Sequence, residues 1–421
     1  MSDFARTIRI AIRSLRRAPA TAASAIVILG VGIGASVAMF TVFRTVLVQR
    51  LPVTDQDKLV TLSLLSTTGA TLPTIGDELD QLRRSSVTMR AVAGVSLAGT
   101  FTFPLLDGDR PVLPNRSIVS GNYFDVLGAR PIIGRLLHEA DDAEGTSPRA
   151  PMPGVAEPLV ISSGAWRRWF GGDPAIVGHR LSDPYGGWIY TIVGVAPPGL
   201  DYPRGADYWI PMGRSSGAIA VARLARNATP AAARAEFLAI VRRSRPQAQS
   251  TIAGATATSL ADQIVGDVRP ALTVLGGAVA LLLLIACVNV GGLLILRASS
   301  RSQEMAIRRA IGATYGDVVE QLLAESMVLA GAGGVLGLLC AFALIRMLIV
   351  FAPAQLPRMD LVSIAGAPVG AAVAVTAIAV LLFGIAPALL SARGDPARAL
   401  RFDARSGRQS RVRRRARQAL V

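Results

Sequence analysis

The chain has 421 residues, 51% of them hydrophobic, with 44 basic against 28 acidic residues for a net charge of +16. Two cysteines exclude a disulfide-stapled fold, and the lack of any G-x-x-x-x-G-K-[ST] run excludes ATP binding through a P-loop in this chain. Such a basic balance invites a nucleic-acid reading, but the excess arginine flanks apolar segments, where anionic membrane lipids are the simpler partner and no nucleic acid is required.

Residues 1–19 read as a cytoplasmic amphipathic helix, with Phe4, Ile8, Ile12 and Leu15 opposite Arg6, Arg9, Arg13 and Arg16. Uncharged runs then occupy 18–43, 271–296, 326–345 and 361–392. At about 1.5 Å per residue each can cross roughly 30 Å of hydrocarbon. The resulting division is transmembrane helix 1 at 20–48, an external domain at 49–269, transmembrane helix 2 at 270–296, a cytoplasmic segment at 297–320, transmembrane helix 3 at 321–350, a short external loop at 351–364, transmembrane helix 4 at 365–391 and a basic tail at 392–421. A signal peptide competes for the first run, but seventeen residues precede it and no small-residue cleavage site clearly follows. Arginines before the first run, after the second (Arg297, Arg301, Arg308, Arg309) and after the fourth place both termini in the cytoplasm.

Within the spans, Gly30 and Gly34 have small-xxx-small spacing, and Gly333 and Gly337 repeat it on the third. These glycines are expected to let helix backbones approach closely. Asn289, an amide in the second span, is expected to seek a hydrogen-bond partner.

The external region reads as mixed α/β, in two lobes divided at the turn-rich stretch from Asp141 to Pro158. Strands are predicted at Val60–Leu65, Leu159–Ser162, Ile189–Val195 and Val221–Leu224. Helices are predicted from near Ser120, over Ala165–Phe170, and from a Thr229 cap with Pro230 in the first turn. The fold class is thus an α-helical four-span membrane domain plus a large mixed α/β periplasmic domain inserted between spans one and two.

No catalytic constellation emerges. His138 and His179 belong to no metal-ligand spacing, and the acidic cluster after His138 (Glu139, Asp141, Asp142, Glu144) does not match an EF-hand, so no catalytic residue, metal or cofactor is assigned. The most function-bearing stretch runs from Arg301 to Thr314, a short amphipathic helix in which Met305, Ile307 and Ile311 pack while Glu304, Arg308 and Arg309 face water or a partner. Glu304 and Arg308 are spaced for a helical ion pair worth only about 0.2–0.5 kcal/mol. Snorkelling at the membrane surface and docking of a partner both fit this pattern.

Glu304-Met305-Ala306-Ile307-Arg308-Arg309-Ala310-Ile311-Gly312-Ala313, with Gln321-Leu322-Leu323-Ala324-Glu325 and the Gly333-Gly334 pair, resembles permeases of the MacB/FtsX type, the membrane subunits of ABC transporters. The external stretches Ser120–Gly128, Pro131–Arg135 and Trp166–Pro174 resemble that family's periplasmic core domain, and Gly394–Arg401 its post-membrane motif. The tail from Arg411 to Val421 is similar to the junction before a second half in the duplicated acidobacterial-type permeases, so a half-length chain and an interrupted duplicated one both stay open.

The resemblance implies a permease of the bacterial inner membrane with no ATPase activity of its own, paired with a second permease protomer or half and with a separate ATPase subunit that binds ATP–Mg. Arg301, Glu304, Arg308, Arg309 and Gly312 would then form the ATPase-coupling surface, and motion would pass to the periplasmic domain by mechanotransmission, for efflux or for handling an envelope substrate or periplasmic protein. The alternative is a non-transporting scaffold or signalling component that regulates a cell-envelope partner.

Overall fold

The computed structural model describes residues 9, 11–13, 15–17, 19–142, 156–185, 187–200, 202–212, 217–248, 250–266, 268–300, 315–351 and 369–378. The chain divides into two units, one of Met1–Phe43, Thr273–Val350 and Ser363–Val421, the other of Arg44–Leu272 and Phe351–Val362.

Helix α1 (Pro19–Phe43) opens the first unit, and its long uncharged run with no amphipathic face is what a membrane span requires.

Among the described residues the second unit carries thirteen strands: β1 (Leu59–Ser66), β2 (Thr71–Leu72), β3 (Met89–Thr102), β4 (Leu105–Asp107), β5 (Arg110–Val112), β6 (Asn115–Val119), β7 (Ile133–Gly134), β8 (Ala156–Ile161), β9 (Arg180–Ser182), β10 (Ile189–Val195), β11 (Tyr208–Pro211), β12 (Ala218–Leu224) and β13 (Ile252–Ser259). They are accompanied by α2 (Gly76–Ser85), α3 (Tyr123–Leu127), α4 (Ser163–Phe170), α5 (Pro230–Ser244) and α6 (Leu260–Val265). The sheet runs in the order β13-β1-β12-β3-β6-β11-β8-β10-β9-β4-β5, with β2 on β1 and β7 on β10.

Two cores share this sheet. Alternate residues Val60, Leu62 and Leu64 of β1 meet Leu79 and Leu82 of α2 and Phe237 and Val241 of α5, all buried. Each such aliphatic contributes about 1.5–3 kcal/mol by leaving water. Helix α5 starts where the sequence places it: the Thr229 hydroxyl accepts from the Ala232 amide at 3.2 Å, and Pro230 fills the first turn, where no amide hydrogen is needed. The second core gathers Leu159 and Ile161 of β8, Tyr190, Ile192 and Val195 of β10, and Tyr208 and Ile210 of β11. Ile118 of β6 packs against both cores. Here β8 runs parallel to β10, and β6 parallel to β11. The strand path leaves the β3–β6 hairpin through β11, β8, β10 and β9 and returns to that hairpin's own tip at β4.

The proposed lobe boundary needs adjustment. Residues 143–155 lie outside the described residues, but β8 begins at Ala156, inside the stretch read as linker, because Glu157 and Pro158 take parallel partners Tyr190 and Thr191 on β10.

One buried ion pair joins α2 to the end of α5. Glu78 is fully buried, accepts from the Ile75 amide at 2.9 Å, and is held by Arg245, whose Nη2 donates to Glu78 Oε2 at 2.6 Å and to the Pro73 carbonyl at 2.7 Å. Arg245→Ala strands a buried carboxylate and is expected to destabilise the chain by about 3–5 kcal/mol, whereas Arg245 and Glu78 both changed to Met should cost much less. Thermal unfolding of the purified full-length chain, followed by external-domain tryptophan fluorescence, measures the difference.

Helices α7 (Arg269–Ser300) and α8 (Tyr315–Phe351) complete the first unit. Together with α1 they are the three helices among the described residues long and apolar enough to span a membrane. The fourth predicted span is represented by a shorter apolar helix, Val369–Ile378, and the remainder of that run lies outside the described residues.

Candidate functional site

Small residues bring the helices of the first unit together. A methyl group on Gly34 would stand 2.7 Å from Cys340 Cβ and 2.8 Å from the Gly337 carbonyl, and one on Gly30 would stand 2.8 Å from the Leu336 side chain. From the other side, a methyl on Gly333 would meet Leu29 Cβ at 2.9 Å and one on Gly337 would meet Ile33 Cβ at 2.9 Å. Only a residue without Cβ fits at such separations. Leu29 and Ile33 advance together with Gly333 and Gly337, so α1 and α8 run parallel.

Further small residues set the remaining contacts. Gly32 faces Ala286 and Leu283 of α7, and Met39 approaches Gly276, so α1 and α7 run antiparallel. Gly334 faces Thr376 of the short apolar helix, whose hydroxyl bonds back to the Ala372 carbonyl at 2.7 Å. Spacing within the sequence singles out neither contact; the adjacency of Gly333 and Gly334, which points them to different neighbours, is the available signal.

Asn289 is exposed on α7 beside the exposed Val288, and among the described residues it makes no hydrogen bond. Arg301, Glu304, Arg308, Arg309 and Gly312 lie outside the described residues.

The test of the glycine contact is a paired substitution. Gly34→Ala is expected to cost about 1–3 kcal/mol, because the atoms it would strike, Cys340 Cβ and the Gly337 carbonyl, are fixed to the helix and cannot rotate away. Gly277→Ala, where an added methyl meets nothing within 4 Å, is expected to be neutral. Thermal unfolding of both variants in the same detergent compares them.

In the external unit the Ser120–Gly128 stretch is a junction. The Ser120 hydroxyl accepts from the Gly94 amide at 2.8 Å and donates to Asn122 Oδ1 at 2.7 Å, Asn122 Nδ2 donates to the Val92 carbonyl at 3.0 Å, and the Tyr123 hydroxyl donates to the Tyr202 carbonyl at 2.6 Å. Phe124 stacks edge-on against Trp209 at 5.7 Å. Gly121 is fixed because a methyl there would strike the His138 carbonyl. The acidic stretch after His138 serves the same junction: Asp141 takes both terminal nitrogens of Arg135 at 2.7 and 2.9 Å, and Asp142 accepts from the Gly121 amide at 2.6 Å. Among the described residues no group of three or more His, Cys, Asp or Glu could hold a metal.

A buried polar cluster lies beside the second core. Arg116 sits over the rings of Phe101 and Phe103 at 4.6 and 3.9 Å, and faces Glu157, Tyr190 and Tyr208. Burial lifts the Glu157 carboxyl above its ordinary range, Arg116 pulling it part of the way back, and burial pushes the Tyr190 hydroxyl up to about 12. Because the folded chain holds the Glu157 proton to higher pH than the unfolded chain does, this group's stabilisation is full at acid pH and is lost as pH rises through the folded pKa. Glu157→Gln should therefore match the parent at acid pH and exceed it at neutral pH by on the order of 1 kcal/mol, as melting temperatures across a pH series will show.

Comparison with known proteins completes the description. Residues 22–240 match the MacB-like periplasmic core domain, and residues 276–396 match the FtsX-like permease C-terminal domain. The uncharacterized ABC transporter permease YvrN of Bacillus subtilis is 32% identical over 129 residues, 31% of this chain and 30% of that protein. The macrolide export ATP-binding/permease protein MacB of Hyphomonas neptunium is 33% identical over 128 residues, 30% of this chain and 18% of that protein. The matched stretch thus spans less than a third of either relative's length. Among solved structures, the periplasmic region of MacB from Actinobacillus actinomycetemcomitans aligns with a TM-score of 0.38 at 13% identity, covering 54% of this chain and 95% of that one.

Proposed function

The chain belongs to the MacB/FtsX-like ABC transporter permeases, and from that premise we propose that it is the permease subunit through which a separate ATPase drives conformational change in the periplasmic domain. It is a multi-pass protein of the inner membrane. In this reading it has four spans, the fourth built on the Val369–Ile378 helix, with both termini in the cytoplasm.

The observation that carries the proposal is the parallel, backbone-close packing of α1 on α8. Helix α8 begins at Tyr315, within the proposed cytoplasmic segment 297–320, and α1 continues in sequence into the external domain at Arg44. A push on the root of α8 therefore has a short, stiff route to the helix that carries the external domain. Arg301, Glu304, Arg308 and Arg309 are the proposed docking residues, with Gly312 ending their helix. ATP–Mg belongs to the partner subunit. The exposed Asn289 amide takes its hydrogen bond from a second permease protomer, since an amide left facing lipid is unfavourable. The substrate is of the envelope, handled by mechanotransmission.

Purification of the native membrane complex tests this. An ATPase subunit is expected to copurify, and Arg308→Glu with Arg309→Glu to reduce its retention at least tenfold while a periplasmic reporter at Gln247 and a cytoplasmic one at Ser406 keep their orientation. A complex that holds an envelope protein but no ATPase would establish the scaffold reading instead.

A further inference from the structure

The β3–β6 hairpin is built as two bodies joined at a weak line. Its stem pairs Thr100 with Ser117, Phe101 with Arg116 and Thr102 with Asn115, and the Phe103 amide closes the stem on the Pro114 carbonyl at 2.9 Å. Immediately beyond stand Pro104 and Pro114, one on each strand, and neither can donate to a ladder. The tip then resumes as β4 and β5, pairing Leu105 with Val112, Leu106 with Pro111 and Asp107 with Arg110 around Gly108, whose φ is +59°.

This tip is thinly attached to the strand that completes the lobe. Among the described residues, β4 meets β9 through a single ladder pair, Leu106 with Ser182. A polar side-chain contact spans the same seam: His179 Nε2 lies 2.7 Å from Asp107 Oδ1, with the Phe170 ring edge-on to the imidazole at 5.7 Å. Beneath the tip, Leu105 and Val112, both buried, roof a cavity of about 10 Å³ lined by Leu159, Ile161, Leu181 and Phe170. That is room for about one water molecule. Tyr208 also lines it, through its apolar atoms.

We propose that β4–β5 is a flap that opens as a unit on its proline base, parting the β4–β9 seam and uncovering the apolar floor of the second lobe. Among the described residues, two buried aliphatic side chains, one ladder pair and one His–Asp contact hold it shut, whereas β8 and β10 share six ladder pairs. The flap is a property of the external lobe and stands independently of the ATPase assignment.

Hydrogen–deuterium exchange on the full-length chain in lipid nanodiscs tests it. The amides bonded between β4 and β5 and between β4 and β9 should exchange at least tenfold faster than those between β8 and β10; equal protection overturns the proposal. Asp107→Asn should accelerate exchange in the flap alone. Leu106→Cys with Ser182→Cys, once oxidised, should slow it to the β10 level, and reduction should restore it. If Asp107→Asn accelerates β8 and β10 equally, the lobe opens as a whole and there is no separate flap.

Discussion

The membrane unit depends on the absence of four side chains. Helices seldom approach closely enough for a Cα on one to touch the backbone of the next, because Cβ atoms hold them roughly 8–10 Å apart. At Gly30, Gly34, Gly333 and Gly337 that spacer is gone, and α1 and α8 meet over two turns with Leu29, Ile33, Leu336 and Cys340 closing the contact. In lipid no hydrophobic effect drives helices together, so van der Waals fit must do it. Gly32 and Gly334 make room in the same way for side chains of α7 and of the short apolar helix.

The external unit solves a different problem. Without a disulfide, a domain hung from membrane helices has to hold two cores in one sheet. The first does so with two helices on an antiparallel face and a buried Glu78–Arg245 clamp. The second curls its strands back to the hairpin they came from. Glu236 fastens α5 to the loop ahead of β3 in a similar way, accepting from the amides of Val87 and Thr88 and from the Ser86 hydroxyl; burial pushes its carboxyl up, and these bonds together outweigh it and draw the group below the usual range. Polar groups here are concentrated at joints between segments.

Much of this is legible from residues, for reasons that differ by element. Strand β10 has the bounds that the sequence predicts because an apolar run between turn formers has one sensible reading, and α5 begins as predicted because Thr229-Pro230 is an unambiguous start. Strand β3, the longest, escapes such reading: its alanines and glycines carry neither β-branching nor alternation, and its burial comes from β12 and β6 on either side. Strands β4 and β5 are too short to show a period. Glu78 looks like a surface residue on a polar helix, and nothing local signals that Arg245, far along the chain, pairs with it in the interior. The glycine spacing announces close packing, but spacing cannot name the partner helix or its direction. The docking residues rest on amphipathicity and family resemblance, and they lie outside the described residues, so geometry adds nothing to that reading.

The parallel register of α1 on α8 limits how those two helices can move. Gly30 and Gly34 repeat every four residues against Gly333 and Gly337, with Leu336 facing Gly30 and Cys340 facing Gly34 as knobs. A slip of half a turn would drive a Cβ into the opposing backbone, while a slip of one full turn, about 5.4 Å, brings a glycine back into register. The pair therefore works like a detent: it resists small axial drift, and yields only by rotating about its contact or by clicking through a whole turn.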